Sequence, residues 1–307
     1  MINQISKVFH AGWNLLRLVA VVSSSIATIL SGLLPLFLKS SFSSGYLFFI
    51  LIFLSLSAIL VHGVLTHLFN DYTDFLSGTD AYSPAILSGG SRVIQKGLIR
   101  PHVVWQLGKW IAIILLAIGV LLAVVGRYEL TILIFIGVWA AASYSLPSIR
   151  LSYFPFLGEW LSLFPAMFFL GLAGPWIIAE SIPMWAVQNS IINALICMGW
   201  VMIHHIPDLE ADRRAIPIKR TSVVWFVDKF GLSYARFPGF LYVFMAGICM
   251  FWVGLERPWA ALLSLSLILC ALFLILKIDP KNIHQVTHYE KLLLLLAVMI
   301  AVTLGVL

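Results

Sequence analysis

Residues 70–80 read NDYTDFLSGTD, with Asp71, Asp74 and Asp80 and no basic residue among them, directly after a long apolar run. The apolar run predicts a helix that continues past its membrane end. Side chains three and four positions apart are then neighbours, so Asn70, Asp71 and Asp74 share a face. Carboxylates grouped in this way repel one another unless a cation sits among them. Mg²⁺ suits such a set, because it takes one or two carboxylates and fills its remaining positions with water and phosphate oxygens.

A second stretch, PDLEADRR at 207–214, also follows a long apolar run. Asp208 and Asp212 are four apart and share a helix face, whereas Glu210 points elsewhere. Two acidic motifs at the ends of two membrane spans could hold a diphosphate between them through bridging Mg²⁺, two ions in the simplest arrangement. The metal candidates are therefore Asn70, Asp71, Asp74, Asp80, Asp208 and Asp212. Asn70 serves as a neutral oxygen ligand or an orienting hydrogen-bond donor. Asp80 either holds the second metal or caps a turn after Gly78.

Composition places this chemistry in a bilayer. The chain has 307 residues, 61% hydrophobic and only 10% charged, with a mean hydropathy of +1.02. A soluble domain carries roughly 25% charged residues. Apolar runs of about 20 residues cross the hydrocarbon core. Nine such runs are expected near 17–38, 46–69, 105–126, 129–148, 157–179, 185–206, 235–255, 258–276 and 290–307. The fold class expected is all-α integral membrane, one polytopic domain over 1–307. Its halves span about 17–148 and 157–276, four helices each around a lipid-open central cavity, with a ninth helix at 290–307. No short apolar leader with a cleavage site precedes the first run. Cys197, Cys249 and Cys270 all lie within apolar runs and read as apolar side chains rather than ligands.

The net charge of +6 is unevenly spread. With the N-terminus inside, sixteen of the 19 Lys and Arg fall on one side, and only Lys39, Arg127 and Arg257 on the other. This asymmetry puts both acidic motifs, and so the mouth of the site, on the cytoplasmic side of a cell membrane, and the C-terminus outside. Nucleic acid is not an expected partner, because the basic residues sit in short loops between spans.

Each acidic motif is followed by a basic stretch, GGSRVIQKGLIR and RRAIPIKRT. Arg92, Lys96, Lys219 and Arg220 are candidates for diphosphate oxygens not taken by metal, or else they are ordinary positive-inside residues. Gly89 and Gly90 allow close backbone approach to an anion, and Arg213 and Arg214 read as exposed. The stretch YSLPSIRLSYFPFLGEW at 144–160 adds Tyr144, whose ring could face a developing carbocation, and Arg150, which could pair with phosphate. An interfacial aromatic belt with a positive-inside arginine is the alternative for both. Glu159 needs a partner that the sequence does not name. His62, His67, His204 and His205 lack the spacing of a zinc site.

The residues resemble the UbiA superfamily of intramembrane prenyltransferases. The resemblance is carried by NDYTD with Asp80, by GGSRVIQKGLI, by YSLPSIR and by DLEADRRA with KRT, and it is closest in motif style to the branch that prenylates dihydroxynaphthoate. It implies nine helices around a lipid-open cavity capped by both motifs, with Mg²⁺ holding an isoprenyl diphosphate. It assigns Asn70, Asp71, Asp74, Asp208 and Asp212 to metal and diphosphate, and Tyr144 and Arg150 to the site. The sequence departs from the family pattern at His204-His205-Ile206-Pro207, where relatives carry an amide pair, and at Ala215–Thr221, a longer loop without glycine. Arg17 could meet an acidic acceptor.

The expected reaction is prenyl transfer from an allylic diphosphate to an acceptor, aromatic or a quinone precursor. The runner-up is a terpene cyclase that shares the ionisation step and folds the cation back on its own chain. A lipid or ion transporter is a remote third reading, because transporters place their ion sites near the midplane.

Overall fold

The structure is a computed structural model that describes residues 22–84, 90–179 and 181–307. Its described residues are helical with short connections, and no strand occurs among them. Long apolar helices are α1 (Ser23–Lys39), α2 (Ser44–Ser77), α4 (Pro101–Val124), α5 (Tyr128–Ser145) and α6 (Glu159–Ala179). They continue with α7 (Met184–His204), α10 (Phe237–Gly254), α11 (Pro258–Lys277) and α12 (Ile283–Val306). Three short helices border the acidic motifs: α3 (Thr79–Tyr82), α8 (Leu209–Arg214) and α9 (Ser222–Phe230).

Local chemistry sets the helix boundaries. Pro101 and Pro258 stand at first helical positions, where a missing N–H costs nothing. The side chains of Ser43, Thr221 and Asn282 accept the N–H groups of Tyr46, Val224 and Gln285 as N-caps. Gly78, at φ +78°, ends α2 in the left-handed conformation that glycine adopts without strain. Helix α5 stops at Ser145, three residues before the expected 148. Leu146 precedes Pro147 and is driven into extended backbone.

Consecutive long helices pack side by side from α1 to α12, and α12 returns to α1, closing a ring. Helix α7 also touches α1 and α12 across it. The window that defines its span is 83% buried, against 11% for α4, so α7 is the central post and α4 faces lipid. Lipid is as apolar as the helix faces, so small residues that allow close approach must drive the packing. A Cβ on Gly32 would meet the Gly171 carbonyl at 2.4 Å, and one on Gly239 the Gly199 carbonyl at 3.0 Å. Leucine at these positions would force the helices apart.

Eight helices of the described residues are long and apolar enough to cross a membrane. The first expected span is represented by the 17 residues of α1, while its beginning and Arg17 lie outside the described residues. Glu159–Leu163 and Ile59–Leu65 are π-helical turns within α6 and α2, for which the apolar pattern carries no signal. Cys197 is buried as expected, whereas Cys270 is exposed on α11.

Candidate active site

The last two turns of α2 carry the first motif. Asp71, Asp74 and Asp80 are each no more than 5% exposed, and the side chains around them are mostly neutral donors. Asn70 Nδ2 donates to Asp74 Oδ2 at 2.8 Å, and its own Oδ1 accepts from the Ser145 hydroxyl at 3.1 Å. Asp71 accepts the Ser91 N–H at 3.2 Å and also the Ser91 hydroxyl. Gln95 Nε2 donates to Asp80 at 2.7 Å.

The Gly-Gly-basic stretch therefore folds back over the first motif. Gly90, at φ +69°, sits so near Asp80 that a Cβ there would lie 2.8 Å from a carboxylate oxygen. Arg92 donates to the Ser83 carbonyl. Gly89 falls outside the described residues. Asp80 is in α3 rather than in a loop. Its burial, with the charges of Asp74 and Asp71 added, pushes its carboxyl up to about 8, against the Lys219 charge and the Gln95 hydrogen bond.

The second motif begins at Pro207, just past the end of α7. A 3₁₀ turn at Ile206–Asp208 makes Asp208 the residue before α8, and Asp212 lies inside α8, so the two keep their four-residue spacing without sharing one continuous helix. Asp208 accepts a hydrogen bond from the Ser83 hydroxyl. Glu210 pairs outward with Arg213 at 3.0 Å, and Arg214 is exposed over Tyr82. Asp212 is 1% exposed, and neither of its oxygens meets hydrogen-bond geometry. Its polar neighbours are the Lys219 ammonium at 3.8 Å, the His205 ring at 3.9 Å and the Thr221 hydroxyl.

One side chain joins the motifs. Lys219 Nζ lies 3.1 Å from Asp74 Oδ1 and 3.8 Å from Asp212 Oδ1. Burial works against its charge, but the two carboxylates outweigh it and hold the ammonium well above the ordinary lysine value. Asp74 and Asp212, 138 positions apart in the sequence (212 − 74), thus address one buried point.

Tyr144 occupies the last turn of α5, and its hydroxyl meets His205 Nε2 at 2.9 Å. The other ring nitrogen of His205 lies 3.9 Å from Asp212, beyond hydrogen-bond distance. Arg150, with left-handed backbone at φ +38°, donates to the Pro147 carbonyl and lies over the Tyr153 ring at 5.4 Å. Lys219 is 5.9 Å from that same ring. Lys96 and Arg220 have exposed side chains, and Arg92 is half-buried. Glu159 is buried at the start of α6 beside the Ser222 hydroxyl.

Sequence reasoning missed Ser83, Ser91, Gln95, Tyr153 and the role of His205. Ser91 has a local signal, since it directly follows two glycines. The others are joined to the motifs only by long-range contacts. Among the described residues no three carboxylate, imidazole or thiol side chains converge on one point. The donor chemistry still fits Mg²⁺: the buried acidic groups offer hard oxygens, and both Asp212 oxygens lack hydrogen-bond donors.

The model of the UbiA prenyltransferase family matches residues 25–295, which includes both acidic motifs and the loops that cover them. The chain belongs to the UbiA prenyltransferase family. No curated protein and no solved structure matches it significantly. Membership, together with the apolar helices, makes it a multi-pass membrane protein of prenyltransferase type, and implies a prenyl diphosphate as substrate.

Proposed function

We propose that this UbiA-family chain is a Mg²⁺-dependent intramembrane prenyltransferase that ionises an allylic isoprenyl diphosphate and passes the prenyl group to an aromatic or quinone-precursor acceptor. The observation that carries this reading is the pair of buried carboxylates, Asp74 and Asp212, that share the Lys219 ammonium. Asn70, Asp71, Asp74, Asp80, Asp208 and Asp212 would hold two ions. When bound, Mg²⁺ neutralises the charge that develops on the departing diphosphate. Arg92, Lys96, Arg150, Lys219 and Arg220 are the cations available to the remaining phosphate oxygens. The Lys96 and Arg220 side chains are exposed and would reach the diphosphate only from the mouth of the site.

In this reading the C1–O bond of the substrate breaks heterolytically and the diphosphate leaves with the electron pair. Tyr144, held by His205, presents a ring to the allylic cation. The acceptor carbon captures the cation and then loses its proton to the released diphosphate. Burial of the carboxylates keeps bulk water, a competing nucleophile, away from the cation. Nine spans, two four-helix halves, a cytoplasmic mouth and placement in the cell membrane belong to the same proposal. Their support is the position of α1 as a ninth apolar helix and the lopsided distribution of Lys and Arg.

A product assay tests it. Purified protein is incubated in detergent with Mg²⁺ and each of the C10, C15 and C20 allylic diphosphates, with and without phenolic or naphthoate acceptors. Prenylated acceptor that disappears with EDTA supports transfer. Cyclic hydrocarbon or terpene alcohol formed without acceptor makes the protein a cyclase and overturns transfer.

A further inference from the structure

The loop after the second motif does not simply leave the site. The Ile216 N–H donates to the Ser77 carbonyl at 2.9 Å, at the end of α2, and the Lys219 N–H returns to the Asp212 carbonyl at 3.0 Å. These two backbone bonds pin residues 215–221 on both motifs and aim Lys219 between them. The residue is 4% exposed, with Nζ at 3.1 and 3.4 Å from the two Asp74 oxygens and 3.8 Å from Asp212. An ammonium between two buried carboxylates does for them what a cation would do, with one charge instead of two.

We propose that Lys219 is the resident cation of the substrate-free site. It holds the two motifs together, keeps divalent metal off the Asp74–Asp212 pair, and yields that place only to metal that arrives with a diphosphate. The physical reason is pairing. A bare metal ion that displaced the ammonium would leave a buried charge without a partner, the costly case for ion pairs in low-dielectric surroundings. A diphosphate brings its own anionic oxygens, to which Lys219 can transfer its hydrogen bonds. Metal and diphosphate therefore bind together, and ion uptake without substrate is suppressed. This inference rests on the metal–diphosphate reading above.

The test counts protein-bound Mn²⁺, standing in for Mg²⁺, on the full chain in detergent after equilibrium dialysis, with and without inorganic pyrophosphate. The wild-type protein is expected to bind Mn²⁺ at least about a hundredfold more tightly with pyrophosphate than without it, as coupled ligands do. Lys219→Gln is expected to bind Mn²⁺ alone at least about tenfold more tightly than wild type, because one positive charge has gone from among the carboxylates. Lys219→Arg, which keeps the charge, is expected to retain the wild-type pattern.

Wild-type protein that binds Mn²⁺ equally well with and without pyrophosphate overturns the inference, and this result stands even where the Gln variant fails to fold. A folded Lys219→Gln with wild-type Mn²⁺ affinity overturns it as well. Wild-type protein that takes up no Mn²⁺ under either condition overturns the metal–diphosphate reading itself, a different outcome from both.

Discussion

The two acidic motifs have similar sequences and unlike surroundings. In the first, Asp71 accepts two hydrogen bonds from Ser91, Asp80 accepts one from Gln95, and Asp74 is bonded to Asn70 and Lys219. In the second, Asp208 accepts from Ser83, but Asp212 is buried with no hydrogen bond to either oxygen. A buried carboxylate held by a 3.8 Å ion pair is less well satisfied than one with short hydrogen bonds, and such groups cluster where function requires them. The first motif is a built platform whose carboxylates are already oriented by hydrogen bonds, whereas the carboxylate of Asp212 in the second is held by the longer Lys219 contact.

The largest effect expected is on chemistry. Asp71→Ala, Asp74→Ala, Asp208→Ala or Asp212→Ala should each lower product formation by at least about a thousandfold, since several kcal/mol of charge stabilisation is lost. Steady-state assays with an allylic diphosphate check this, and one variant near wild-type activity would remove that residue from the site. A smaller catalytic loss is expected for His205→Leu, which leaves the partly buried Tyr144 hydroxyl without its imidazole partner at a cost of about 1–3 kcal/mol. Its kcat should fall about tenfold or more with KM little changed, and His205→Gln, which can still accept the hydrogen bond, should restore part of it.

Two substitutions sharpen the comparison between motifs without substrate. Asp71→Asn should lower metal-free stability by about 1–3 kcal/mol, because an amide cannot accept from Ser91 as the carboxylate does. Asp212→Asn should cost less than about 1 kcal/mol, because the ion pair it weakens is the longer one, 3.8 Å, and Lys219 keeps Asp74 at 3.1 Å. Thermal melts in EDTA distinguish them, and equal losses would erase the contrast.

The smallest effect concerns pH. Asp80 binds its proton more tightly in the folded protein, at about 8, than a carboxyl does in an unfolded chain. Its contribution to stability is therefore complete below about 4 and is lost as pH rises through about 8. Asp80→Asn removes that dependence, so the EDTA-treated variant should lose less thermal stability than wild type between about pH 6 and pH 8.5. A parallel pH profile for the two proteins would contradict it.

The helices were legible because each apolar run is a local signal. The runs expected at 258–276 and 185–206 correspond to α11 (Pro258–Lys277) and α7 (Met184–His204). Pro258 marked one start as expected, whereas the helices at Pro101 and Gly78 extend beyond the runs expected at 105–126 and 46–69. The acidic residues were legible as a set, since charge at the end of a membrane span is conspicuous. Their partners were not. Ser83 reaches Asp208 across 125 positions, Lys219 reaches Asp74 across 145, and Tyr144 reaches His205 across 61. Serine, lysine and histidine at a membrane interface each have an ordinary explanation, and only the folded ring brings them together. Lys219 is the clearest case: its sequence suggests a diphosphate clamp, whereas in the fold its ammonium is paired with both motifs.

The central claim is that the two motifs act on one diphosphate as a unit. A double-mutant cycle on Asp74 and Asp212 tests it most directly, reading the Mg²⁺-dependent affinity for inorganic pyrophosphate of wild type, Asp74→Asn, Asp212→Asn and the double variant. Residues that hold a shared ligand are strongly non-additive. The account predicts that either single change removes most of the affinity and that the double variant loses little more. Losses that simply add, as for two independent sites, would contradict it.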